Sequence, residues 1–456
     1  MNRLKRITGE NRNFYQELRS LVLPIVIQNL ITTSVTMADV LMLGRLSQTA
    51  LSAASLAGQV MFLLSMLQFG LNSGITILAS QYWGKGDRNT ISSIFGIGLL
   101  ISLAASLAAS LAALIAPAAV MSIWTDVPQL QEEGAAYLRI AAVSYLFFGI
   151  SQPYLAAMKS CSRVRLSMRV SVIALGLNVF LNYLLIFGAA GLPAMGIRGA
   201  ALATAIARGI ELLICIVDSR VQNCFPADSE HIFHIPNELI ADFAHYSLPA
   251  LVNDMLWAFA YNMNSVIMGH LGSDIVAANS VVTVARDLIT TVGFGISAAS
   301  SIMLGKLIGA GKKELAKKTA ERIFRLTFLV SLLQGAVLFA VRPLVPLFVN
   351  LSRTASGYLM TMLAISCIYQ VGQVMNTLLI ASFFRCGGDS KFGLKLDLFG
   401  MWVVSVPLSL IGAFLLKLPP IQVYCLMCLD EAVKLPFALY YYYRGGWIRD
   451  LTREFA

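Results

Sequence analysis

Long apolar runs separated by short polar intervals repeat along the whole chain. Twelve can be drawn, over residues 18–43, 51–81, 92–120, 134–158, 168–188, 197–217, 246–269, 276–305, 323–348, 356–384, 396–416 and 421–443. A helix needs about 20 apolar residues to cross a hydrocarbon core, a barrel strand only about half as many. The runs are too long for strands. Lipid supplies no hydrogen-bond partners, so a spanning backbone must satisfy itself within each helix. The pattern predicts an all-α polytopic membrane protein with twelve transmembrane helices.

The polar intervals set an orientation. Lys85 and Arg88 follow segment 2, and Lys159, Arg163, Arg165 and Arg169 follow segment 4. Lys306, Lys312, Lys313, Lys317, Lys318 and Arg322 follow segment 8, and Arg385, Lys391 and Lys395 follow segment 10. Both ends are basic, through Arg3, Lys5 and Arg6 at one and Arg444, Arg449 and Arg453 at the other. The interval after segment 3 is acidic instead, with Asp126, Glu132 and Glu133. Basic intervals stay in the cytoplasm, so both termini are expected there. The first apolar stretch is too long for a signal peptide and has no small-residue cleavage site, so none is expected.

The longest polar interval, 218–245, divides the chain near its middle. Each side predicts a six-helix bundle, at 1–217 and 246–456. The halves repeat at one constant offset: Leu23-Pro24 falls on Leu248-Pro249, Gly44 and Leu46 on Gly269 and Leu271, Ala53 and Ser55 on Ala278 and Ser280. Phe69-Gly70 then falls on Phe294-Gly295, and Gly84 and Gly86 on Gly309 and Gly311. With six spans each, the halves enter the membrane the same way round. That is a parallel repeat, a known transporter plan with a site between the repeats.

Composition agrees. The chain is 57% hydrophobic and 13% charged, about half the charge of a soluble domain. Its net charge of +10 follows the topology and suits anionic lipid; no nucleic-acid partner is expected. The 7 cysteines sit mostly in apolar runs and read as reduced packing residues. The Cys425-x-x-Cys428 pair has no second pair to complete a metal site. His231 and His234 read as solvated loop residues.

Charges inside spans are costly and usually functional. Arg208 and Glu211 in segment 6, and Glu431 and Lys434 in segment 12, are three apart and read as ion pairs on one helix face. Arg286 and Asp287 are adjacent in segment 8, and Arg342 lies near the outer end of segment 9. Asp39 in segment 1 and Asp254 in segment 7 have no local cation. An unpaired carboxylate in a low-dielectric site takes up a proton or a cation, so Asp39 is the first candidate for ion coupling and Asp254 the second. The repeat partner of Asp39 is the neutral Asn264, so the halves are chemically unequal. Asn178 and Asn182, four apart in segment 5, and Thr204 in segment 6 offer neutral oxygens. With one carboxylate they could cage a small hard cation or surround a protonatable Asp; interhelical hydrogen bonding is the alternative.

Several stretches together resemble the MATE (multidrug and toxic compound extrusion) family. LVLPIVIQNLITTSVTMADVLMLGRLS is similar to its first helix. LNVFLNYLLIFGAAGLPAMGIRGAALATAIAR is similar to its segments 5 and 6, and NDMLWAFAYNMNSVIMGHLGS to segment 7. SIMLGKLIGAGKKELA and FFRCGGDS resemble its cytoplasmic loops, and DEAVKLPFALYYYYRGGWIRDLT the tail of bacterial members. The resemblance implies a V-shaped fold of two bundles in a bacterial inner membrane, and antiport of organic, often cationic, compounds against H⁺ or Na⁺. It carries Asp39, Asn178, Asn182 and Thr204 onto the family's N-terminal cation site, where Na⁺ could bind at Asp39. Many members have Asp where this chain has Asn182, so a Na⁺ site here is one charge poorer. In segment 10 the carboxylate of some members is missing, with Gln373 nearby.

The expectation is an efflux transporter working by alternating access, monomeric, with no cofactor beyond the coupling ion. Tyr145, Trp257, Tyr261 and Met263 are candidates to line a substrate cavity. A lipid or lipid-linked oligosaccharide flippase is the alternative. Against it, the intramembrane cations mostly have acidic neighbours, which disfavours anionic substrates. An enzyme is not expected, because no H-E-x-x-H, G-x-S-x-G or phosphate loop appears.

Overall fold

The structure is a computed structural model that describes the chain except residues 1, 192, 222–223, 227–231, 233–234, 350, 455 and 456; at 2–13, 36–37, 190 and 347–348 it describes the backbone alone. His231 and His234 therefore lie outside the described residues. Every regular element among the described residues is helical. The principal helices are α1 (Asn2–Leu46), α2 (Gln48–Lys85), α3 (Arg88–Ile115), α4 (Pro117–Ser122), α5 (Pro128–Ser160), α6 (Val164–Phe187) and α7 (Ile197–Val221). They continue with α8 (Asn237–Leu271), α9 (Ser273–Gly309), α10 (Lys313–Val341), α11 (Arg353–Asn376), α12 (Ser390–Asp397), α13 (Val406–Leu410), α14 (Pro420–Met427) and α15 (Leu429–Arg444).

Among the described residues, ten helical stretches are long and apolar enough to cross a membrane. The other two expected spans depart from that pattern for a chemical reason. Segment 246–269 lies in α8, where Asn253, Asp254, Asn262 and Asn264 dilute the apolar run. Segment 421–443 is divided at Cys428 into α14 and α15, and α15 carries Asp430, Glu431 and Lys434. Both are helical, and both hold the polar groups discussed below.

The repeat is visible in the helix starts. Gln48, Arg88 and Pro128 open α2, α3 and α5, and their repeat partners Ser273, Lys313 and Arg353 open α9, α10 and α11. The second half adds wider turns. α11 continues as π-helix over Thr377–Phe384, and α12 over Leu398–Ser405, with a third such turn at Ile411–Leu415. Such turns shift the side chains on either side and often mark functional positions. Here Asn376 and Arg385 bracket the first, and Asp397 precedes the second.

The chain forms two compact units. One comprises residues 27–79 and 87–243. Its core joins Ala57, Leu64, Ala113, Leu138, Tyr145 and Phe148, and a second cluster joins Leu43, Ala50, Ala53, Ile186 and Ile197. Tyr145 is thus a fully buried core residue. The other unit comprises 244–456 with 1–26 and 80–86. Its core joins Ile267, Val282, Leu359, Leu363, Val423 and Tyr424.

Small residues allow close approach, as membrane bundles require. The repeated Gly-x-Gly pairs show two separate uses. A Cβ at Gly84 would collide with the Lys306 carbonyl, and one at Gly309 with the Gln81 carbonyl, so these glycines let the ends of α2 and α9 touch. Gly86 and Gly311 have φ of 88° and 72° and no atom near a Cβ, so their role is the left-handed turn itself. Gly309→Ala should therefore lower stability by about 1–3 kcal/mol through overpacking. Gly311→Ala should lower it by about 1 kcal/mol through backbone strain. Gly269 lies in open space within α8, and Gly269→Ala should cost nothing, since Ala favours a helix. Thermal unfolding of the three purified variants in detergent checks this ranking.

Candidate functional site

Three helices bring Asp39, Asn178, Asn182 and Thr204 into one hydrogen-bonded chain. The four-residue spacing of Asn178 and Asn182 stacks both amides on one face of α6. Asn182 donates from Nδ2 to Asp39 Oδ1 at 2.6 Å and to Asn178 Oδ1 at 3.2 Å. Asn178 donates from Nδ2 to Thr204 Oγ1 at 3.2 Å, and the Thr204 hydroxyl in turn donates to the Ala200 carbonyl at 3.0 Å. Both asparagines are buried, and Asp39 is half-buried. Leu43, Ile186, Ile197 and Ala200 pack beside the chain on the same three helices.

The donor and acceptor balance of this chain is uneven. Asn182 Oδ1 is buried and receives no hydrogen bond. Among the described residues Asp39 accepts only from Asn182, and no cation pairs with it. The cluster thus ends in surplus oxygen acceptors around a single carboxylate. A half-turn of the Asn182 amide would put carbonyl oxygen in place of nitrogen beside Asp39. Oxygen-only ligands of this kind suit a hard cation, and the same oxygens can accept from a protonated carboxyl.

Asp254 requires a correction. It is not without a cation: Arg385 clamps it with both terminal nitrogens, Nη2 to Oδ1 at 2.6 Å and Nη1 to Oδ2 at 3.1 Å. Arg385 reads in the sequence as part of a cytoplasmic loop, but it directly follows the π-helical turn, is buried and meets Asp254 of α8. The residue beside Asp254 extends the network. Asn253 donates to Asp397 Oδ2 at 2.9 Å. Lys434, whose side chain is 2% exposed, then contacts Asp397 at 3.1 Å, Glu431 at 3.2 Å and Asp430 at 3.4 Å. Asn376 donates to Glu431 Oε2 at 2.7 Å. The expected Glu431–Lys434 pair is therefore part of a set of two cations against four carboxylates.

Sequence reasoning missed Asp397 and Asp430. Asp430 is four residues before Lys434, a spacing that could have found it. Asp397 has no local signal, because its partners lie on α8 and α15. The Arg208–Glu211 pair is a structural tie. Glu211 takes Arg208 at 2.7 Å, Ser151 at 2.7 Å and Gln152 at 2.9 Å, which fastens α7 to α5. Among the aromatic candidates, Trp257 and Tyr261 are partly exposed and stack at 5.7 Å and 15°. Met263 packs against the core of its unit.

Removing one member of a buried ion pair strands the other, at a cost of about 3–5 kcal/mol. Asp254→Asn should lower the melting temperature more than the Asp254→Asn, Arg385→Gln double variant does. Equal losses in both would show that Arg385 left without Asp254 carries no penalty.

The MatE family model matches the chain twice, over residues 24–184 and 249–411. The two matches begin at Pro24 and Pro249, which are partners in the internal repeat. A probable multidrug resistance protein NorM from Thermotoga maritima is 21% identical over 451 residues, covering 96% of this chain and 95% of its own. The uncharacterized transporter YisQ of Bacillus subtilis is 23% identical over 406 residues, covering 86% of each chain. Among solved structures, the Vibrio cholerae MATE transporter VcmN in its bent form shares the fold with a TM-score of 0.85, at 16% identity and with 95% of this chain and 97% of that one covered. Two matches to one family model, spanning both halves, give the assignment: the chain belongs to the MatE family.

Proposed function

We propose that this chain is a secondary efflux transporter that exchanges organic compounds for H⁺ or Na⁺ across a bacterial inner membrane. The observation that carries the reading is the surplus of oxygen acceptors around Asp39, in a protein whose relatives are described as multidrug resistance proteins. A lone carboxylate backed by Asn178, Asn182 and Thr204 can hold one small cation or one proton. Loading it changes the charge of α1 where it meets α6. A ligand shifts a conformational equilibrium only by its differential affinity for the two states, so the cage must differ between inward and outward forms.

The remaining features follow from that role. The halves 1–217 and 246–456, joined by a cytoplasmic linker at 218–245, act as the two moving bundles of a monomer. Both termini face the cytoplasm, as the basic intervals require. The chain carries out transport and not catalysis, and its only accessory is the coupling ion.

The test is ethidium efflux in everted vesicles under an imposed pH gradient or an imposed Na⁺ gradient, for wild type and Asp39→Asn. One of the two gradients should drive transport in wild type, and Asp39→Asn should fall to the level of vesicles lacking the protein. Full gradient-driven transport in Asp39→Asn would remove Asp39 from the coupling step.

A further inference from the structure

Arg286 is a buried intramembrane cation outside both clusters and outside the Arg208–Glu211 pair. Arg286 lies on the buried stripe of α9, which runs through Ile275, Ala278, Val282, Arg286, Thr290 and Gly293. The helical period calls for an apolar or small side chain at each of these positions, and Arg286 is the one charge among them. It is 9% exposed. Its guanidinium carbon sits 5.4 Å from the centre of the Tyr369 ring. Its Nε is enclosed and has no hydrogen-bond partner. Among the described residues, no carboxylate forms a salt bridge with it.

The acids nearby are committed elsewhere or turned away. Asp287 is exposed and projects about 100° round the helix from Arg286. Asp430 and Glu431 are held by Lys434, and Asp254 by Arg385. Tyr369 lies within Coulombic reach of both Arg286 and the Lys434 cluster. Asp287, Tyr424, Tyr261 and Cys428 also lie within Coulombic reach of the guanidinium without a salt bridge to it, and Tyr424 already shares a hydrogen bond of 2.8 Å with Ser366. Arg286 is thus an exception to the expectation that intramembrane cations here mostly have acidic neighbours, which Arg208 and Lys434 follow.

An ionised group without a salt bridge inside a membrane protein is expensive to retain and marks a binding or transport path. The natural complement of a guanidinium is a planar oxyanion, which it grips with two parallel hydrogen bonds. The stacked Trp257 and Tyr261 rings on α8 add a flat, partly exposed aromatic face, which suits an aromatic ligand.

We propose that Arg286 anchors the anionic group of the transported molecule, a carboxylate joined to an aromatic body. The proposal rests on the exporter reading and moves its substrate class from simple organic cations to zwitterions and organic acids.

Rhodamine 110, which carries a free carboxylate, and rhodamine 123, its methyl ester, present the same fluorophore with and without the anion. Fluorescence anisotropy of each dye with the purified full-length protein in detergent reads the anchor directly. Wild type should bind rhodamine 110 more tightly than rhodamine 123. Arg286→Gln should weaken rhodamine 110 by about tenfold or more and rhodamine 123 by no more than about twofold, the scale of one charge-assisted hydrogen-bonded contact. Arg286→Lys, which keeps the charge without the fork, should fall between. Arg286→Gln should also melt no lower than wild type, because it removes an uncompensated charge. Equal losses for both dyes, no loss for rhodamine 110, or a folded wild type that fails to bind rhodamine 110 would each overturn the anchor. Binding needs no gradient, so a failure of gradient-driven ethidium efflux would overturn the exporter reading while leaving this measurement standing.

Discussion

A hydrocarbon core contains no water, so every polar group carried into it must find its partner within the protein. The polar architecture of this chain follows from that constraint. Backbone groups are satisfied by helices alone. Side chains that cannot be satisfied locally reach across to other helices. Asp254 meets an arginine 131 residues away. Lys434 gathers carboxylates from α12 and α15. Asp39 meets only neutral amide groups, and it is left with less compensation than any of these.

That difference separates the two halves. They share helix starts at a constant offset, but they do not share chemistry. The repeat partners of Asp39, Asn178 and Asn182 in the second half are Asn264, Val403 and Pro407. The repeat partners of Asp254, Arg385, Asp397 and Lys434 in the first half are Asn29, Ser160, Val172 and Gly209. The halves share a helix framework and its glycine landmarks, while the charged groups stand on one half or the other. The first half holds a single carboxylate with loose coordination, suited to exchange with solvent ions. The second holds tightly paired charges around Arg385 and Lys434, while the buried Arg286 has no salt bridge among the described residues.

Pairing and exchange impose opposite demands. A carboxylate clamped by a guanidinium with two hydrogen bonds, as Asp254 is, has little reason to bind another cation. A carboxylate held by one amide can accept a cation or a proton with a small rearrangement, since only one amide needs to turn. The same reasoning distinguishes Arg208, which Glu211 satisfies, from Arg286, which lies over a ring face and, among the described residues, has no salt bridge. The degree of satisfaction separates groups that fasten helices from groups that can bind and release.

The sequence by itself determined the class of the molecule. Twelve apolar runs, basic intervals and an internal repeat are linear features, and hydrophobic length and charge position can be read without knowing any contact. It also pointed to Asp39, Asn178, Asn182 and Thr204, because Asn spacing on one helix face is local and a lone acid in an apolar run stands out. Spacing also gave the Arg208–Glu211 and Glu431–Lys434 pairs; tertiary structure alone decided which charges far apart in sequence are paired. Arg385 looked like a loop residue, yet it is buried at the end of a π-helical turn and paired with Asp254. Asp397 had no partner near it in sequence. Tyr145 looked like an aromatic candidate for a cavity wall and is enclosed in a core. Arg286 looked balanced by its neighbour Asp287, yet adjacent residues on a helix point in different directions. Pairing is a property of distance in space, and a linear sequence fixes that distance only within a turn or two of helix.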